Sequence, residues 1–146
     1  MHDDPFVAPD GYEISSDPSR LDAELIHRWL SQDAYWALGR SREKQDRAMA
    51  SSVNFGAYAS ISGTQVGYAR AVTDHATFAW LCDVYIARPD RGKGLGSALV
   101  VAVRDYFGPY DLGRILLATT DAHAIYAKAG FEPLTRPEKW MSLGNQ

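Results

Sequence analysis

The chain has 146 residues, a formal net charge of −3, 46% hydrophobic and 23% charged residues; this composition suits one folded domain and excludes a disordered tail or a collagen-like repeat. No dense Lys/Arg run invites nucleic acid, and no apolar run approaches the roughly 18–20 residues that cross a bilayer, so neither partner is expected. A lone cysteine, Cys82, cannot close an internal disulfide, and the start Met1-His2-Asp3-Asp4 lacks a leader's basic and apolar pattern, which points to the cytoplasm.

In chain order, residues 1–11 hold two prolines and little periodicity and read as an arm ahead of a short strand, Tyr12–Ser15. Asp17-Pro18 offers an N-cap followed by proline at the first helical position, and Leu21, Leu25 and Trp29 recur at helical spacing, predicting a helix over 18–31. A more polar helix is expected over Ser41–Ala50 with Ser41 as its cap. From Val53 the period becomes two. Val53, Phe55, Ala57, Ala59 and Ile61 share a face, Ser62-Gly63 turns the chain into Thr64–Thr73, and a second turn leads into Thr77–Ile86, with Phe78, Trp80, Cys82, Val84 and Ile86 on one side.

After a glycine-rich turn, Leu95, Leu99, Ala102 or Val103, and Tyr106 mark an amphipathic helix that Gly108-Pro109 ends. A buried strand Arg114–Ala118 follows. Asp121 is placed to cap a helix Ala122–Ala129, Gly130 to close it in the left-handed region, and Phe131–Leu134 and Lys139–Leu143 to finish the sheet. The order β-α-α-β-β-β-α-β-α-β-β describes an α/β (α+β layered) fold over a single domain, 1–146.

Chemistry concentrates in Leu81–Ser97, a strand, the turn Arg91-Gly92-Lys93-Gly94-Leu95-Gly96 and a helix start. Alternate glycines let successive N–H groups share one concavity, to which the helix N-terminus adds its positive dipole end, so a pyrophosphate can sit there; the competing reading is a plain connector. The spacing is neither a Walker P-loop nor a dinucleotide fingerprint. Arg91, Gly94 and Gly96, after a V-x-I strand, resemble the acetyl-CoA signature of the GCN5-related N-acetyltransferase (GNAT) family. The segment Asp121–Glu132, with Tyr126, Gly130 and Phe131, is similar to that family's late helix.

The resemblance implies a twisted mixed sheet flanked by helices and splayed between the fourth and fifth strands, with acetyl-CoA as acetyl donor and a small-molecule or peptide amine as acceptor. On it, Val84, Tyr85 and Ile86 would bind pantetheine through their backbone. Arg91, Gly92, Lys93, Gly94, Leu95, Gly96 and Ser97 would hold the phosphates, with Arg88 beside them. Tyr126 would protonate the departing thiolate; simple packing is the alternative for that ring. Asp83, a charge in an apolar strand, either takes a proton from the incoming ammonium or satisfies neighbouring polar groups. Tyr35, Trp36 and Phe55 are candidate walls of the acceptor site. Many members carry an asparagine shortly before the late helix, where this chain has Thr119-Thr120-Asp121 and then His123; His123 reads as a packing or surface residue, and Cys82 as a core residue. Neither a zinc-type His/Cys spacing nor a Ser/His/Asp arrangement is present, so no metal and no covalent mechanism is expected. A silent acyl-CoA sensor is the rival function, and a homodimer is compatible with the sequence.

Overall fold

The computed structural model of the chain describes residues 6–144. Strands β1 (Tyr12–Ser15), β2 (Val53–Ala59), β3 (Gln65–Thr73), β4 (Phe78–Ile86) and β5 (Arg114–Leu116) form one sheet in sequence order. The first four pair antiparallel, while β5 joins β4 in parallel after the crossover helix α3 (Leu95–Phe107). Helices α1 (Ala23–Asp33) and α2 (Arg42–Ala50) precede β2, and α4 (His123–Lys128) follows β5. This is the expected mixed sheet flanked by helices.

Local chemistry accounts for most of these elements. Gly63 takes φ +73° in the β2–β3 turn, where Ala59 donates to Thr64 O at 2.9 Å. Asp74 ties the β3–β4 turn by accepting from the amides of Ala76 at 2.9 Å and Thr77 at 2.8 Å. Ser41 caps α2 as expected, its hydroxyl accepting from Lys44 N at 3.1 Å.

The sheet is covered on both faces. On one, Leu95, Leu99, Val103 and Phe107 of α3 meet Phe55, Ala57, Ala69, Ala71, Ala79 and Leu81. The alanines keep that face shallow. At Gly67 an added Cβ would stand 3.0 Å from Ile86 Cδ1, 3.1 Å from Ala57 Cβ and 3.3 Å from Leu99 Cδ1, so a bare backbone is needed there. On the other face Ile26 and Leu30 of α1 and Met49 of α2 cover Tyr68 and Tyr85.

Several expectations are corrected. Residues 6–11 are not a loose arm: Phe6 packs edge-on to Phe55 at 6.0 Å, and Tyr12 N donates to Pro9 O at 3.1 Å. The rest of the expected arm, 1–5, lies outside the described residues. The helix expected over 18–31 is split, because two aspartates cap in succession. Asp17 accepts from Ser19 N at 2.9 Å to close the 3₁₀ turn Pro18–Arg20, then Asp22 accepts from Leu25 N at 3.1 Å to start α1. Asp121 does not cap α4; Ala122 stands at the N-cap, its amide donating to Thr119 Oγ1 at 3.1 Å. Gly130 does close α4, with φ +105°. The last two expected strands do not form: 131–134 and 139–143 are irregular around a 3₁₀ turn at Pro137–Lys139. Pro133 and Pro137 carry no N–H to give to a ladder.

Candidate active site

The site is created by one irregular residue in β4. The β3–β4 register shifts between Tyr68 and Arg70, and Asp83 takes φ +54°, a left-handed backbone that side chains other than glycine rarely adopt. The extra residue reverses the alternation. Trp80 and Cys82 therefore do not share a side with Val84 and Ile86, as period two had implied; Val84 and Ile86 turn to the α3 core and Tyr85 to the α1 core. Pairing of β4 with β5 stops at Trp80↔Leu116, which leaves the edge from Leu81 to Ile86 without a strand neighbour on that side among the described residues. Two clefts open along it.

The first, about 550 Å³, is lined by Val84, Tyr85, Ile86, Arg91, Gly92, Gly94, Leu95, Gly96 and Ser97, with Asp33 and Ile125 opposite. Gly92 and Gly94 have φ +79° and +85°. A Cβ on Gly92 would meet nothing within 4 Å and one on Gly94 only Pro9 Cγ at 3.9 Å, so the concavity above them is open. Gly94, the N-cap of α3, gives no side-chain bond, and helical bonding begins with Ala98 N to Gly94 O at 3.0 Å. The amides of Leu95, Gly96 and Ser97 are thus the unspent first-turn donors of a 13-residue helix, facing this cleft. Such a donor set fits the pyrophosphate of CoA.

Charge around the cradle is already organised. Asp33 of α1 accepts from Tyr85 Oη at 2.5 Å, from Arg88 Nε at 3.1 Å and from Arg91 Nη2 at 3.5 Å, and a second nitrogen of Arg88 also reaches it. The Arg88 contact, then the Tyr85 hydroxyl, hold the Asp33 carboxyl down to about 2. Arg91 also donates to Ile86 O at 2.8 Å, which fixes its stem beside β4. Lys93 departs from expectation. Its Nζ turns to Tyr12 Oη at 3.3 Å and it lines a separate depression with Asp10, Ser62 and Asp90, because the Tyr12 phenol, itself bonded to Asp90 at 2.8 Å, offers an acceptor there.

The second cleft, about 390 Å³, is bounded by Tyr35, Trp36, Arg40, Arg70, Cys82, Asp83, Thr119, Asp121 and Tyr126. Tyr35, Trp36, Val84, Asp121 and Ala122 border both clefts and mark their junction. Tyr35 and Trp36 pack edge to face at 5.0 Å and stay 58% and 43% exposed. Phe55 is not a wall. It is fully buried under α3, between Phe6 and Tyr106, since its face of β2 is the one that the crossover helix covers.

Asp83, 3% exposed, accepts from Trp36 Nε1 at 2.8 Å, Arg40 at 2.8 and 3.3 Å, and Arg70 Nε at 2.9 Å. Burial alone would raise its pKa; the Arg40 and Arg70 guanidiniums outweigh that and hold it below the ordinary carboxylate value. Burial, with the Asp121 carboxylate nearby, raises the Tyr126 phenol. Its ring packs against Phe131 at 6.0 Å, and its hydroxyl has no hydrogen-bond partner among the described residues. Cys82 is half-buried on the cleft rather than in the core, and burial pushes its thiol to about 11. His123 sits with Tyr126 in a different groove, between β5 and the chain after α4. Sequence reasoning missed Arg40 and Arg70; their only signal was two isolated arginines, one before the Ser41 cap and one inside a strand.

A strand pulled away from its neighbour, a glycine-lined cradle at one end of the gap and a second cleft at the other give the chain two clefts that meet along one strand edge. The family model of the Acetyltransferase (GNAT) family matches residues 23–131, and the chain belongs to that family. A protein of Gibberella zeae, assigned by inference as an acetyltransferase, is 32% identical over 135 residues, covering 80% of this chain and 76% of its own length. The crystal structure of a Xanthomonas campestris pv. campestris protein, assigned likewise to an acetyltransferase of the GNAT family, is 40% identical with TM-score 0.87, covering 94% of this chain and 96% of that one. A Mycobacterium tuberculosis protein crystallised with CoA shares the fold at TM-score 0.67 and 17% identity, over 83% of this chain and 72% of its own.

Proposed function

We propose that this chain transfers the acetyl group of acetyl-CoA to an amine by direct attack within a ternary complex. The observation that carries the reading is the meeting of the two clefts at the unpaired edge of β4, where Tyr35, Trp36, Val84, Asp121 and Ala122 are shared walls. The amides at the start of α3 bind the donor's phosphates, with Arg91 beside them, and the free edge of Val84–Ile86 holds its amide arm as an added strand would. The thioester carbonyl then lies at the junction, facing the acceptor cleft.

In the transfer the ammonium first releases one proton to solvent; the neutral amine then attacks, a nitrogen–carbon bond forms, the carbon–sulfur bond breaks, and the surplus proton on the new amide nitrogen passes through solvent to restore the one that the thiolate has taken. Tyr126 supplies the latter proton: its raised pKa keeps the phenol protonated at neutral pH, and its hydroxyl has no protein partner to compete. Asp83 is ill suited as a base, because its acceptor positions are filled by two guanidiniums and an indole; it positions Trp36, Arg40 and Arg70. Asp121, exposed at the junction and without a hydrogen-bond partner among the described residues, draws the acceptor's ammonium to the thioester.

Tyr126→Phe tests this. Removing one hydroxyl should lower kcat for release of CoA thiol by about 10²–10⁴, with CoA affinity by calorimetry nearly unchanged and stability altered by about 1 kcal/mol or less. Full kcat in the variant would remove Tyr126 from the mechanism.

A further inference from the structure

The acceptor cleft carries a charge imbalance that acetyl transfer to a plain amine leaves unused. Arg40 and Arg70 both line it, with side chains only 17% and 12% exposed, and both point at one carboxylate, Asp83. Two cations and one anion leave this nearly buried group at +1, and no other acidic side chain bonds to either guanidinium among the described residues. The remaining protein acceptors are neutral: Gln45 Oε1 at 2.9 Å from Arg40 and Ser52 Oγ at 3.1 Å from Arg70. Together the two guanidiniums make five hydrogen bonds to protein, against about ten N–H donors between them. A desolvated cation with unused donors is unfavourable unless something anionic completes it.

Resting on the acetyl-transfer reading, we propose that the acceptor is a small amine bearing an anionic group, a carboxylate or a phosphate, on the same skeleton, and that Arg40 and Arg70 bind that group. Both arginines border the acceptor cleft and not the donor cleft, so they lie away from the junction, whereas Asp121 stands at the junction. The cleft is therefore negative where the amine must meet the thioester and positive beyond it, matching a zwitterion held by both ends. Its 390 Å³ suits a molecule of amino-acid size more than a protein chain.

The test compares matched acceptors on the full chain. L-amino acids are assayed each against its own carboxamide, and 2-aminoethyl phosphate against ethanolamine, all with acetyl-CoA. The anionic member of at least one pair should show a kcat/KM about 100-fold or more above its neutral partner, because a site built for an ion pair rejects the analogue lacking it; the favoured pair tells carboxylate from phosphate. Arg70→Gln, checked for folding by its melting curve, should erase most of that preference by raising KM for the anionic member far more than for the neutral one. Neutral amines used as well as their anionic partners would overturn the proposal while the acetyl-transfer reading stands. Should no amine be acetylated although CoA binds, the transfer reading fails, and calorimetry with N-acetyl-L-amino acids against their amides decides the anion site alone: equal or absent binding overturns it.

Discussion

Asp83→Asn separates an anchoring carboxylate from a catalytic base. The substitution keeps the side chain's size and removes its charge from a position 3% exposed, where it now accepts four hydrogen bonds, three of them from guanidiniums. An amide offers one acceptor oxygen and turns its NH₂ toward a guanidinium. Arg40 and Arg70 would then lose their counter-charge while remaining nearly buried, and breaking such a pair costs about 3–5 kcal/mol. At roughly 2–4 °C per kcal/mol for a domain near this size, the melting temperature should fall by about 6–20 °C. Thermal unfolding followed by circular dichroism measures it, with urea titration as a check on the free energy. The pH dependence has a definite sign. Because the folded pKa of Asp83 is depressed, its contribution is present above the ordinary carboxylate value of 3.8 and is lost as pH falls through the lower folded value. The gap between wild type and variant should therefore narrow in acid. A melting temperature within about 2 °C of wild type, together with a large loss of kcat, would refute the anchoring role and make Asp83 the proton acceptor.

Gly94→Val should strain a residue at φ +85° by about 1–2 kcal/mol and project a branched side chain toward the phosphate cradle. Calorimetry should find CoA binding lost while circular dichroism shows the fold retained; normal affinity would mean the turn is only a connector. Gly67→Ala should destabilise by about 1–3 kcal/mol in urea, since the new methyl meets Ile86, Ala57 and Leu99 at 3.0–3.3 Å. A neutral result there would show that α3 moves away from the sheet at little cost.

Much of this molecule is legible in the sequence because it depends on neighbours within a turn of one another. Alternation of apolar residues marked β2, Ser62-Gly63 marked its turn into β3, and Ser41 marked the start of α2. The glycines of 92–96 lie side by side with the helix start they precede, so the glycine turn could be read from local spacing alone, as could Gly130 behind α4. Asp17 caps a turn with Pro18 at its first position, as expected, but Asp22 starts α1 and Asp121 does not cap α4, because several side chains able to cap compete and a single sequence does not rank them.

The second cleft was decided by tertiary structure. A period-two pattern carries no mark of the extra residue at Asp83, yet that bulge sends Tyr85 to one face, Val84 and Ile86 to the other, and the carboxylate toward Arg40 and Arg70. Phe55 and Trp36 are both aromatic. Only the packing of α3 buries the first, and only the placement of the α1–α2 connection leaves the second at the junction of the clefts. Arg40 and Arg70 stand 43 and 13 residues from the carboxylate they share. Cradles built from consecutive amides follow from local backbone conformation, whereas charges that meet across a sheet follow from register and helix placement, which no short window of sequence contains.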